Sequence, residues 1–189
     1  MRVWLPLMAA ACLCCGRTAA QTSDSSRPPI LGEWKSGSYS NHVLGVELQL
    51  SSDCVLANEA ESIAFSTQLP QRLGLTIQCG PTTYVLMSFP LHEDEPSDLK
   101  SAAEPSLAGA KDGGGYQGRG SWKEASAGKT PVLFHELSRS GHGNRESAFY
   151  FAMLIGRTYF AIMANGPESA RSSLSQTLNK LKIQTKVPQ

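Results

Sequence analysis

Four histidines are the residues best suited to acid–base or metal chemistry in this 189-residue chain: His42, His92, His135 and His142. His135 and Glu136 are neighbours in a predicted strand, so their side chains should point to opposite faces and cannot form a dyad. The zinc-protease motif H-E-x-x-H is absent, because Arg139 stands four residues after His135. The histidines therefore predict no catalytic pair within one strand.

A metal site is the alternative that these histidines leave open. His135 and His142 could approach each other across a turn, and the acidic run that begins at His92 (HEDE) would add carboxylate ligands. We expect solvated surface positions for these side chains instead. The sequence also has no serine-nucleophile, phosphate-loop or EF-hand motif. We predict no catalytic residues, no metal and no cofactor, with a hydrolase or metal-dependent enzyme that uses a histidine and a carboxylate as the alternative.

Residues 1–20 have the composition of a signal peptide. Arg2 supplies the positive charge, residues 3–15 are apolar, and small side chains fill positions 18–20. Cleavage there would change the formal charge from +1 to −1, because Arg2 and Arg17 would both leave. A lipid-anchored form is the alternative, since residues 9–12 resemble a bacterial lipobox that ends at Cys12. We predict a secreted or periplasmic protein.

Two cysteines remain after such a cleavage, Cys54 and Cys79. An even pair in an exported chain favours a disulfide, which we predict between them. The small formal charge excludes a global basic field for nucleic acid. We expect an unknown protein or small molecule as the partner, no nucleic acid, and membrane contact only if Cys12 is lipidated.

The rest of the chain predicts one α+β domain. Residues 21–29 are polar with two prolines and predict a flexible tether before a single domain at 30–185. Alternating or continuous apolar runs predict strands, at 46–50, 73–79, 82–89, 131–137, 148–155 and 159–164. A helix is predicted from Glu168 to Leu181, with a turn at 138–146. Pro105 should end a short helix, and the glycines predict a long mobile loop at 109–120.

The element from Tyr39 to Asn41, followed by the strand that starts at Leu44, resembles the opening of PsbP-like proteins. The closing strands, turn and helix with Leu174 and Leu178 are similar to the same superfamily. The resemblance implies an antiparallel sheet covered by helices, an α/β/α sandwich. It also implies a non-enzymatic role.

The function that we predict is that of an exported, non-catalytic binding or accessory protein. Its surface or cleft should lie near residues 91–120, because a long loop without regular structure is often functional. Exposed aromatic rings in less regular segments are typical of contact surfaces. The candidate contact residues are Trp34, His92, Tyr116 and Trp122.

Overall fold

The computed structural model describes residues 32–58, 62–63, 72–141 and 144–184. The predicted signal peptide at 1–20, the tether at 21–29, Cys12 and His142 lie outside the described residues. No helix among the described residues is long and apolar enough to cross a membrane.

A large antiparallel sheet forms the centre of the molecule. Along the sheet the strands follow the order β4-β6-β7-β11-β10-β9-β8, and β5 also pairs with β6. Their bounds are β4 Val55–Asn58, β5 Ser62–Ile63, β6 Arg72–Cys79, β7 Thr82–Pro90, β8 Gln117–Ala127, β9 Thr130–Gly141, β10 Asn144–Ile155 and β11 Thr158–Pro167. Hairpins join most neighbours, and every neighbouring pair in the described part of the sheet, including the non-consecutive pair β7 and β11, is antiparallel.

A small antiparallel sheet packs on one face of the large sheet. It contains β1 Glu33–Lys35, β2 Ser38–Asn41, β3 Val46–Gln49 and β12 Leu181–Ile183. Tyr39 of the small sheet is buried and stacks on Phe160 of the large sheet, with ring centroids 6.2 Å apart. Burial raises the pKa of Tyr39 to about 12. Asn41 accepts a hydrogen bond from the Leu44 backbone at 3.0 Å, so the Tyr-x-Asn element shapes the turn into β3.

The predicted disulfide is confirmed. Cys54 and Cys79 are bonded, with their Cα atoms 4.3 Å apart. They flank the β4–β6 ladder, in which Val55 is paired with Gln78. The bond therefore fastens the four-residue strand β4 to the sheet.

Helix α1, Leu99–Gly114, covers the opposite face of the large sheet. Asp98 caps its first turn by accepting a hydrogen bond from the Ser101 backbone at 2.9 Å. Along β10, the alternation of the strand places Phe151 against the small sheet and Tyr150 under α1. The antiparallel α+β sandwich with helical segments on both faces is thus the predicted fold class.

The predicted loop at 109–120 is wrong, because these residues are the end of α1 and the start of β8. Pro105 lies inside α1 and does not end it. Small residues on the inner side of α1 let the helix approach the sheet closely. The residues buried there are Ala103, Ser106, Gly109 and Ala110. This burial outweighs the poor helix propensity of proline and glycine. Gly115 ends the helix in the left-handed conformation.

The predicted turn at 138–146 is also too long. Strand β9 continues to Gly141 and β10 begins at Asn144. Arg139 and Glu146 pair across the two strands, with Arg139 Nη2 2.6 Å from Glu146 Oε2. This ion pair lets polar residues extend the hairpin past the apolar core.

The predicted terminal helix is shorter than expected. Only Arg171–Ser175 is α-helical (α2), with 3₁₀ turns at Glu168–Ala170 and Gln176–Lys180. Ser173 and Ser175 each bond a backbone carbonyl three residues earlier, which weakens the helix. Leu174 still faces the core, and Leu181 is buried in β12.

Candidate binding site at the β8 bulge

A bulge interrupts β8 where the strand pairs with β9. Arg119 is opposite Glu136 and Lys123 is opposite Phe134, so four steps on β8 match two steps on β9. Residues 120–122 therefore lie opposite His135 alone. Gly120 has a φ of 86°, a left-handed conformation that glycine adopts without strain and that turns the chain out of the ladder.

Trp122 is the side chain that the bulge places over the sheet, on the face that α1 covers. Its ring meets His135 edge to face at 5.3 Å between centroids, and Tyr150 at 6.2 Å. The indole Nε1 donates to Glu104 Oε1 of α1 at 2.8 Å. The partly buried Trp122 thus joins the edge strand to the helix.

His135 lies beneath Trp122 and is 4% exposed. This burial corrects the expectation of a solvated surface histidine. Its Nδ1 is 2.9 Å from the Glu136 carbonyl oxygen, and a carbonyl only accepts, so Nδ1 carries the proton. In the neutral ring the Nε2 atom is then an acceptor.

Gly118 lets the His135 side chain pack directly against the backbone of β8. A Cβ atom at this position would lie 2.9 Å from His135 Cε1, 3.5 Å from Nε2 and 3.5 Å from Lys111 Cε. Lys111 stands in the last turn of α1. Because Gly118 has no side chain, one histidine and one lysine both lie close to its Cα.

On the opposite sheet face, an ion network fastens β8 to the C-terminal segment. The Glu136 carboxylate forms ion pairs with the Arg119 guanidinium at 3.1 Å and with the Arg171 guanidinium at 2.7 Å. Glu168 contacts Arg119 at 3.1 Å and accepts from the Ser147 hydroxyl at 2.5 Å. The hydrogen bond from Arg171, followed by that from Arg119, holds the pKa of Glu136 below its usual value. The sequence prediction that His135 and Glu136 face opposite sides agrees with this arrangement.

Tyr116 lies where α1 ends and is buried. The Arg139 guanidinium lies over its ring at 4.7 Å, and its hydroxyl is 3.3 Å from Glu146 Oε2. Arg139 also donates to the Gly114 carbonyl oxygen at 3.0 Å, which caps the end of the helix. Burial raises the pKa of Tyr116 to about 12.

The four candidate contact residues occupy different places. Trp34 packs against the cluster between the sheets, whereas Tyr116 and Trp122 belong to the cluster under α1. His92 lies in the connection from β7 to α1, where its backbone donates to Glu95 and accepts from Arg157. Of the four, Trp122 is the residue at the bulge.

The predicted metal alternative needed His135 and His142 together with the acidic run after His92. No group of three or more histidine, cysteine, aspartate or glutamate side chains within the described ranges could hold a metal ion. Sequence reasoning missed Lys111 and Gly118 in the bulge site. The sequence feature that could have indicated the bulge is the pair Gly118 and Gly120, because glycines inside a strand often mark a bulge.

The comparisons with known proteins identify a fold. Neither the models of known protein families nor the curated proteins contain a match. A crystal structure of LpqN, involved in cell envelope biogenesis of Mycobacterium tuberculosis, superposes with a TM-score of 0.51 at 16% identity, covering 84% of this chain and 90% of LpqN. The solution structure of the cyanobacterial PsbP from Synechocystis gives a TM-score of 0.57 at 8% identity, covering 81% of this chain and 96% of that one. The chain therefore has the PsbP-like fold.

Proposed function

We propose that this chain is an exported, non-catalytic binding or accessory protein whose contact surface is the β8 bulge and the adjoining side of α1. The observation that carries the proposal is the position of Trp122. An aromatic ring held partly exposed over a buried histidine, and fastened to Glu104 of the helix, is a rigid anchor of the kind that dominates binding surfaces.

The Cys54–Cys79 disulfide supports the exported location. Structural disulfides persist in oxidising compartments and are rare in the cytosol. A protein with the same fold, LpqN, is involved in cell envelope biogenesis, and an exported location for this chain is in keeping with that role. The signal-peptide composition of residues 1–20 gives an independent reason, since such segments direct export.

The surroundings of the acidic residues near the bulge support a non-catalytic role. Glu136 is held by two arginines on the face away from His135. Glu146 pairs with Arg139, and Glu104 accepts from Trp122. An acid–base mechanism needs a histidine and a carboxylate converging on one substrate position. These contacts commit the carboxylates to structural partners.

Site-specific photo-crosslinking in intact cells tests the proposal. A photoreactive phenylalanine derivative replaces the exposed Ser121 in the bulge, and a matched control carries it at the exposed Glu33 of β1. We expect a discrete adduct from position 121 and none from position 33. Addition of Trp122→Ala should remove the adduct while the circular dichroism spectrum stays that of the folded protein. Equal adducts at both positions, or none at either, would contradict the proposed surface.

A further inference from the structure

We propose that one end of the molecule binds the surface of an anionic lipid bilayer through a basic patch with an exposed valine. The patch consists of Val43, Lys129, Lys180 and Lys182. It is formed where the β2–β3 turn, the β8–β9 turn and β12 meet. The proposal goes beyond the contact surface at the bulge, and it gives the protein a membrane contact that needs no lipid on Cys12.

Two backbone contacts bring the three segments together. The Gln184 backbone donates to the Gly45 carbonyl oxygen at 2.8 Å, which fastens the end of β12 to the β2–β3 turn at 42–45. A Cβ atom on Gly128, in the β8–β9 turn, would lie 3.8 Å from the Ile183 carbonyl oxygen. This carbonyl and the Gln184 N–H belong to one trans peptide and point in opposite directions, so the end of β12 lies between the two turns.

The patch carries positive charge and few carboxylates. Lys129 and Lys182 are exposed, and Lys180 is half-buried. No aspartate or glutamate occurs in residues 125–135 or 169–189, the segments that supply these lysines. Glu47 is an acidic neighbour, opposite Lys182 in the β3–β12 pair. The formal charge of +1 for the whole chain therefore conceals a local excess of positive charge.

The acidic run at 93–95 leaves the same end of the large sheet, but from its far side. The run follows β7, which is four strand positions from β8 in the order β7-β11-β10-β9-β8. At the usual spacing between strands this separation is about 19 Å, more than the screening length of about 8 Å at physiological ionic strength. The run therefore does not cancel the charge of the patch.

Val43 gives the patch an apolar tip. Its side chain is 61% exposed, and Val55 is the other large apolar side chain that the described residues expose, at 58%. Val43 lies in the turn that β12 fastens, whereas Val55 lies in β4, at the opposite edge of the large sheet from β8. An apolar side chain beside lysines can enter the bilayer interface while the ammonium groups bind lipid phosphates. Protein interfaces are instead dominated by Trp, Tyr and Arg, which the patch lacks.

Sedimentation with lipid vesicles tests the proposal. The probes are vesicles of phosphatidylcholine alone and of phosphatidylcholine mixed with an equal amount of phosphatidylglycerol. We expect the protein to bind the anionic vesicles about tenfold or more tightly, and the difference to disappear when the salt concentration is raised to about 0.5 M. Equal binding to both kinds of vesicle, or equally tight binding to poly-glutamate in solution, would overturn the proposal.

Two double variants with the same change in net charge locate the contact. Lys129→Gln with Lys182→Gln should weaken binding to the anionic vesicles about fivefold or more. Lys35→Gln with Lys100→Gln, at exposed lysines of β1 and α1, should leave it unchanged. An equal loss in both double variants would show that net charge alone governs binding and would overturn the assignment to the patch.

A pair of valine variants tests the apolar tip. Val43→Ser should weaken binding to the anionic vesicles about threefold, whereas Val55→Ser, at the other exposed valine, should not. The circular dichroism spectrum should stay that of the folded protein in both. Equal effects of the two substitutions would contradict the proposal. The crosslink at position 121 reports on the bulge separately, so failure of the patch and failure of the proposed function remain distinguishable.

Discussion

Removal of the Cys54–Cys79 disulfide should lower the free energy of unfolding by about 3.5 kcal/mol, estimated from the loop entropy for a sequence separation of 25 residues. The perturbation is the double variant Cys54→Ala with Cys79→Ala, which leaves no free thiol among the described residues. Strand β4 is short, pairs with β6 alone among the strands that the structure describes, and has a register irregularity after Leu56, so its attachment depends strongly on the bond.

Urea denaturation at neutral pH, followed by circular dichroism, measures this effect. For a chain of this size the same loss should lower the melting temperature by roughly 7 to 14 °C. The reduced wild-type protein serves as the matched control and should unfold at nearly the same urea concentration as the double variant. A loss below about 1 kcal/mol would refute the reasoning, because it would mean that the bond does not restrict the unfolded chain as the loop entropy requires.

Three further predictions concern single side chains. Ser36→Gly should raise the free energy of unfolding by about 0.5 to 1 kcal/mol in urea denaturation, because Ser36 has a φ of 48° in the two-residue turn between β1 and β2. Glu136→Gln should lower it by about 2 kcal/mol at pH 7, since two arginines lose their carboxylate. Folding lowers the pKa of Glu136, so its contribution to stability is complete above the unfolded value of about 4.3. That contribution disappears as the pH falls through the lower folded value, so the urea curves of the variant and the wild type should approach each other as the pH falls below about 4.3. Leu107→Ala, under α1, should cost about 3 kcal/mol in the same assay, because Leu107 is 1% exposed.

The strands were predictable because burial on one face or on both leaves a direct pattern in the sequence. The alternation in β6 and the continuous apolar run in β10 indicate their positions in the sheet, and the structure agrees. The extent of α1 was not predictable in this way. Pro105 and the glycines signal a break locally, whereas the close approach of Ala103 and Gly109 to the sheet is a tertiary effect. Local propensity is small compared with the burial of a whole helix face.

The candidate site was only partly predictable. Trp122 could be selected as an aromatic ring near glycines, but its contact with His135 depends on the register shift between β8 and β9. A sequence shows neither which residue lies opposite a bulge nor which helix residue packs beside it. Lys111 therefore carried no signal of its own, since its relation to His135 arises only when α1 crosses the sheet.

The bulge has two consequences that follow from the same three residues. β8 is an edge strand of the large sheet, and a long regular edge is a template for unwanted pairing with other chains. Residues 120–122 interrupt that edge, and the charged pair Lys123 and Glu124 follows at once. The interruption also removes a pairing partner from His135 and allows Trp122 to lie over the imidazole. The bulge therefore both protects the edge and forms the candidate binding site. A deletion within residues 120–122 that restores a regular β8 ladder should remove the site and, at the same time, leave a regular edge open to pairing.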